Sequence, residues 1–376
     1  GIHFIEIIIP PYSVPISLRG RYYFRSGSTK LELTGASLNE FLLKKSGKTW
    51  DDVIEPRADF NDIDEQSIKK YLNSSEKAGR LPEYEGLSFS EILEKLRLTE
   101  NGKLKRAALI LFGKDPGKFY PNTFVKIGRF GENDTDIKFQ VVEEGNLISL
   151  LSAVLNQLNR KFLTSPIDFE GMHRIEKGEY PVAAIREMLL NSLVHRNYMG
   201  APIQIHIFDD KISIWNEGFL PEGLTLEALK RSHSSRPRNP IIADVCFKGG
   251  YIDAWGRGTL KILDACKAAE LPEPEMIERD GGFLITLFKE RLTEDQLLKL
   301  GLNERQIKAL VFIKEKGKIS NTEYQKLNSV SKATATRDLG ELEKSGLLIN
   351  KGTKGSSAIY VLDNTYTGEP IGGDFI

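Results

Sequence analysis

Glu187 and Asn191 stand four residues apart in Pro181–Arg196, a segment that otherwise reads as an apolar helix. Pro181 suits a first helical position. Val182, Ile185, Leu189 and Leu193 make one apolar stripe, and Ala184, Met188 and Val194 fill the opposite side. A helix apolar nearly all round is a buried one, and side chains four apart share a face. A buried acid and amide are costly unless something pairs with them. Taken alone, the pair is satisfied most simply by a hydrogen bond between its members. Downstream, Trp255-Gly256-Arg257-Gly258-Thr259 opens a second helix striped by Leu260, Ile262 and Leu263. A G-x-G at a helix start offers free backbone N–H groups and the positive end of the helix dipole, which is phosphate-binding chemistry. Between the two, Ile212–Gly218 is a strand closed by Asn216-Glu217-Gly218, a turn whose glycine lets backbone approach a ligand.

These segments need a scaffold. Within residues 103–290, strands are predicted at Ala107–Phe112, Thr123–Arg129, Ile203–Phe208, Lys211–Trp215 and Phe283–Phe288. Helices are predicted at Leu147–Lys161, Pro181–Arg196, Leu226–Arg231 and Arg257–Ala269. Asp209-Asp210 between two strands signals a hairpin. A hairpin beside helices points to an α+β layer with a mixed sheet, not a doubly wound one. Residues 56–102 read as a charged helical connector, with Ile63, Ile68, Tyr71 and Leu72 at helical spacing. Residues 1–55 read as a strand at His3–Ile9 ended by Pro10-Pro11, an aromatic strand with a polar turn, and a helix from Ser37 to Lys45. That stretch is too small for a core of its own. With Gly1 opening straight into a strand and no methionine before Met172, it reads as part of a domain whose beginning lies upstream.

Residues 300–363 read helix, helix, helix, hairpin. Caps are expected at Asn303, Asn321 and Ser331, a helix stop at Gly346, and paired strands at Leu347–Asn350 and Ala358–Leu362. That is the order of a winged helix-turn-helix. Residues 303–362 hold 11 Lys/Arg against 6 Asp/Glu, a balance of +5. Ser331, Lys332, Thr334, Thr336 and Arg337 give the third helix the short polar and basic residues that a major-groove helix needs. Lys351 and Lys354 on the wing can meet backbone phosphate. On this charge, double-stranded DNA is favoured over a protein partner.

Taken in order, the central segments resemble the ATP-binding domain of the GHKL (Bergerat-type) superfamily, closest to its version in RecG-like transcriptional regulators. Glu187-x-x-x-Asn191 resembles the N box, Ile212–Gly223 the first glycine box and Gly256–Ile262 the second. Ser235–Asp244 fits the same subgroup, and the resemblance spans residues 60–290. It implies an α/β sandwich that takes ATP and Mg²⁺. Asn191 would ligate the Mg²⁺, Glu187 would be the general base, and Gly256, Gly258 and Thr259 would cradle phosphate. The strand-end position before Gly218 would read the adenine amino group; most relatives carry Asp there, and this chain has Asn216. Residues 219–255 would form a mobile lid. The winged helix resembles those of bacterial transcription regulators. Gly20–Thr29, with Pro10-Pro11, resembles the end of a Schlafen/AlbA-type DNA-binding domain, truncated here.

Several classes are excluded. The sequence has 376 residues and equal numbers, 52 and 52, of basic and acidic ones, so it is no globally basic coat protein. No apolar run approaches the ~20 residues that cross a bilayer. Two cysteines, Cys246 and Cys266, make no disulfide framework and point to a reducing, cytoplasmic setting. Gly113–Phe119 has the wrong spacing for a Walker motif, which argues against a helicase. The five histidines lack zinc-ligand spacing. Three readings follow: a DNA-binding regulator switched by ATP, with a homodimer implied by the family; a Mg²⁺-dependent ATPase working on nucleic acid; and a degenerate scaffold that binds no nucleotide.

Overall fold

The computed structural model describes residues 15–26, 29–80, 84–131, 133–163, 167–170, 173–176, 178–221, 223–253, 256–269, 271–289, 297, 301–351 and 358–362. The strand expected at His3–Ile9, Trp255, and the wing turn with Lys354 lie outside the described residues. The chain divides into two compact units, the smaller formed mainly by the chain from Leu287 onward.

The larger unit opens with the hairpin β1 (Tyr22–Ser26) and β2 (Thr29–Leu33), then α1 (Gly35–Lys45). Next come α2 (Glu65–Ala78), α3 (Phe89–Lys95), the short pair β3 (Thr99–Glu100) and β4 (Lys103–Leu104), and α4 (Arg106–Phe112). β5 (Val125–Phe130), β6 (Ile137–Glu143), α5 (Leu147–Gln157), β7 (Ile167–Glu170), β8 (His173–Glu176) and α6 (Val182–His195) follow. The order ends with β9 (Ile203–Ile207), β10 (Lys211–Glu217), α7 (Leu226–Leu229), α8 (Pro240–Lys248), α9 (Gly258–Ala268), β11 (Glu275–Arg279) and β12 (Gly282–Phe288).

Six strands form one sheet in the order β11-β12-β10-β9-β5-β6. β5 runs parallel to β9 and antiparallel to β6, so the sheet is mixed, as the hairpin signal implied. Ile203, Ile205 and Ile207 alternate with half-buried Gln204 and His206, so one face of β9 is fully covered. The helices α2, α4, α5, α6 and α8 pack on one another. Long-range hydrogen bonds lock that layer. Asp51 Oδ2 accepts from the backbone N–H of Ile241 and Ile242 at 2.8 and 3.0 Å, capping α8. Tyr71 donates to Val245 O at 3.1 Å, and Asn146 Nδ2 donates to Ser67 Oγ and Gly113 O, both at 2.9 Å.

Several expectations are corrected. Ala107–Phe112 is the body of helix α4, not a strand. All six residues are buried, and a short run buried on every side carries no periodicity to separate strand from helix. Within residues 219–255, which the resemblance casts as a lid, helix α8 buries Ile242, Ala243, Val245 and Cys246. Two strands of the six-stranded sheet were not expected, nor were the short pairs β3–β4 and β7–β8. β6 lies at the sheet edge; Ile137-Lys138-Phe139-Gln140-Val141 alternates apolar and polar as a strand does, although its first four residues are exposed, and β11 is likewise an edge strand. The helix expected over Leu147–Lys161 is α5 followed by a π-helical turn, Leu158–Phe162.

Among the described residues, the smaller unit has the helices α10 (Glu304–Lys316), α11 (Asn321–Asn328) and α12 (Lys332–Lys344). A sheet of β13 (Ile319–Ser320), β14 (Leu348–Asn350) and β15 (Ile359–Leu362) is ordered β13-β15-β14. Its core joins Leu310, Ile313, Tyr324, Leu339, Leu342 and Tyr360. Asn303 and Ser331 cap α10 and α12 as expected, but Ser320 rather than Asn321 caps α11, through a capping box with Glu323.

Candidate functional site

Helix α6 carries the acid–amide pair because its other side chains belong to the core. Met188, Leu189, Leu190, Leu193 and Val194 are each no more than 1% exposed. Two ties hold its end. Asn239 Nδ2 donates to Val194 O and Arg196 O at 2.8 and 3.0 Å, and Tyr198 donates to Leu193 O at 2.6 Å. Glu187 is 5% exposed and Asn191 half-buried, and both line a cavity of about 130 Å³. Among the described residues, neither has a side-chain hydrogen bond or ion pair. The bond between them that the sequence suggested is absent; they face open space instead.

Burial raises the Glu187 carboxyl above the usual carboxylate range; Lys261 and Arg186 oppose the shift, and Asp253 adds to it. Asp253 itself lines the cavity, bonded to Lys261 and, at 3.0 Å, to Arg80.

The glycine segments reach the same space. Gly258 is the first residue of α9, and a Cβ there would lie 2.5 Å from Glu187 Oε1 and 3.3 Å from Asn191 Oδ1. A larger residue there would have to push the tip of Glu187 aside. Among the described residues, the first helix amide with a backbone acceptor is Lys261 N–H, which donates to Arg257 O at 2.9 Å. Gly256 has φ +63°, and a Cβ there would meet His233 O at 2.0 Å. Thr259 lines the cavity, and its hydroxyl donates to Leu229 O at 2.7 Å.

At the end of β10, Asn216 is 4% exposed and Gly218 has φ +123°; both line the cavity. Thus all seven residues singled out in this domain surround one space. Sequence reasoning left out Asp253, His233 and the apolar Leu220, Leu229, Ile262 and Phe283, which complete the wall. His195, on the same helix, also lines it; burial, Arg238 and His233 push its imidazole down to about 4, so it is neutral at pH 7.

No group of three His, Cys, Asp or Glu residues suited to a metal occurs among the described residues. One amide oxygen beside a carboxylate fits a Mg²⁺ that arrives on phosphate and keeps its waters, which is how Mg²⁺ is commonly held.

Residues 200–287 match the family described as "Putative ATP-dependent DNA helicase recG C-terminal". That marks an ATPase-like domain over β9 to β12. Residues 39–126 match a domain of unknown function. Helix α6, with Glu187 and Asn191, lies outside both segments. No curated protein matches the chain. Among solved structures it is similar to the DIP2311 protein from Corynebacterium diphtheriae, with TM-score 0.51 and 19% identity over 94% of this chain and 72% of that one. At that identity the likeness concerns fold alone.

In the smaller unit, Ser331, Lys332, Thr336, Arg337 and Lys351 are exposed and Thr334 is half-buried. Several are engaged: Ser331 Oγ accepts from Thr334 N–H at 3.2 Å, and Thr336 donates to Lys332 O at 2.9 Å. Arg337 sits 3.4 Å from Asp338 and 3.9 Å from Glu341. No described helix is long and apolar enough to cross a membrane.

Proposed function

We propose that the larger unit binds ATP with Mg²⁺ as a GHKL-type domain, and that the smaller is a winged helix binding double-stranded DNA. The chain is then a transcription regulator in which nucleotide is the input and DNA the output. One observation carries the nucleotide reading. A buried acid and a half-buried amide have no side-chain partner among the described residues, and the glycine that opens α9 brings its backbone against them. Folding leaves such groups unpaired where a ligand completes them.

Asn191 Oδ1 would hold the Mg²⁺, which supplies charge neutralisation on the phosphates when bound. The backbone N–H groups of Gly258 and Thr259 face the same anion. Glu187 would serve as general base: it lines the cavity, and burial raises the proton affinity of its carboxylate, which favours accepting a proton from water. The open face of α12 supports the DNA reading, with Lys332 exposed at its first position and basic residues in excess.

Melting with Mg²⁺ and ATP at a hundred times its Kd should raise stability by about 2.7 kcal/mol. Glu187→Gln should keep that shift and lose turnover; Asn191→Ala should lose the Mg²⁺ dependence of the shift. If no nucleotide moves the melting of the wild-type chain, the scaffold reading replaces this one. If nucleotide binds but is not turned over, the domain is a sensor and not an ATPase.

A further inference from the structure

We propose that Asn216 makes this cavity accept 6-keto purine nucleotides, those of guanine and hypoxanthine, as well as ATP. The inference rests on the nucleotide reading above, with the 6-position of the base facing Asn216. Asn216 lines the cavity on its last strand-end turn, 4% exposed. Its main chain is held in place: a Cβ at Gly282 would come within 2.3 Å of Asn216 O, so the neighbouring strand packs directly against it. Its side chain is held loosely. Among the described residues, Nδ2 donates only to Glu217 O, at 3.4 Å, well beyond the usual N–H···O distance of about 2.9–3.0 Å. Oδ1 accepts no hydrogen bond from the described residues. A buried carboxamide in that state has an edge still to be satisfied, and the cavity is where a partner can reach it.

A carboxamide carries an acceptor and a donor side by side. Adenine presents the N6–H donor beside the N1 acceptor; a 6-keto purine presents the O6 acceptor beside the N1–H donor. Rotation of the amide about its last torsion matches either edge, and the single long contact to Glu217 O sets little preference between the two orientations. A carboxylate at the same position is acceptor-only. It would meet N6–H well and confront O6 with lone pairs. The amide therefore removes a means of rejecting 6-keto bases, and what remains is the weak bias of Nδ2 toward Glu217, which favours adenine slightly.

The test is calorimetric titration of the full chain with ATP and ITP in Mg²⁺, since the two differ only at the 6-position and the adjacent N1. Affinities within tenfold of each other are expected. ITP weaker by more than tenfold overturns the proposal while leaving the nucleotide reading standing; failure of both ligands to bind overturns both. Asn216→Asp should then open the ratio to at least about thirtyfold in favour of ATP, the scale of an unpaired buried polar group. If Asn216→Asp shows no cooperative melting, Asn216→Ser serves instead: it removes both halves of the amide and should weaken ATP and ITP equally. A Ser variant that weakens ATP alone, like an Asp variant that leaves the ratio unchanged, places base reading elsewhere and overturns the proposal.

Discussion

Two buried carboxylates, one in each unit, show opposite designs. Asp338 in α12 is fully buried and receives Arg305 Nε at 2.8 Å, the Tyr324 hydroxyl at 3.0 Å and Arg337 at 3.4 Å. Glu187 in α6 is nearly as buried and receives nothing among the described residues. Burial pushes both carboxyls up; at Asp338, Arg305, Tyr324 and Arg337 outweigh it and the net shift is downward, while at Glu187 burial prevails. A satisfied buried charge organises a core. An unsatisfied one is a cost that stability alone does not explain. Under the proposed function, the difference separates a residue that builds the protein from one kept for a ligand.

The largest expected effect tests that contrast through stability. Asp338→Ala should cost about 2–3 kcal/mol, because it leaves a buried Tyr324 hydroxyl and a partly covered Arg305 without their acceptor. Hydrogen exchange should speed up across α10–α12 while α6 keeps its protection. Glu187→Gln, which removes a desolvated charge and keeps the shape, should leave melting unchanged or raise it. An equal loss in both variants would break the comparison.

Acid sharpens it. The Asp338 pKa is depressed in the folded protein, so its contribution is complete above the unfolded value of about 3.9 and is lost as pH falls through the lower folded value. Glu187 has the opposite sign: its contribution is complete below the unfolded value of about 4.3 and is lost as pH rises through the raised folded value. Exchange protection of α10–α12 should therefore fall on acidification below about pH 4, and Asp338→Asn should flatten that fall.

A smaller effect on stability but a large one on ligand is expected from Gly258→Ala. The added Cβ meets the tip of Glu187 at 2.5 Å, an end that can swing away. Melting should drop by less than about 1 kcal/mol, since only side-chain atoms must shift, whereas Mg²⁺–nucleotide affinity should fall at least tenfold. The least effect belongs to the exposed side of the smaller unit. Lys332→Ala with Arg337→Ala should weaken DNA binding uniformly across sequences and flatten its salt slope by about 1 per lost phosphate contact. Unchanged binding would move the DNA surface elsewhere.

Much of the scaffold was legible locally. The strand–turn–strand of β9 and β10 follows from alternating isoleucines around Asp209-Asp210, and the caps at Asn303 and Ser331 follow from residue type. Most of what failed lacked a local signal, though the alternation Ile137-Lys138-Phe139-Gln140-Val141 of β6 was legible and passed over. Ala107–Phe112 has no face turned to solvent, so it carries no period. Edge strand β6 turns Ile137 and Phe139 outward, against the usual pattern. Helix α8 has Pro240 at its start, but the carboxylate that closes that end is Asp51, far away in sequence.

From its residues alone this chain determined that α6 is buried, that Glu187 and Asn191 share one of its faces, and that glycines open the later turns and helix; these are consequences of helical period, side-chain polarity and backbone freedom. Whether the acid and amide satisfy each other or wait for something else was decided only by tertiary structure. That outcome depends on which distant backbone, here Gly258, is brought within contact distance of them and on the space the surrounding apolar side chains leave unfilled.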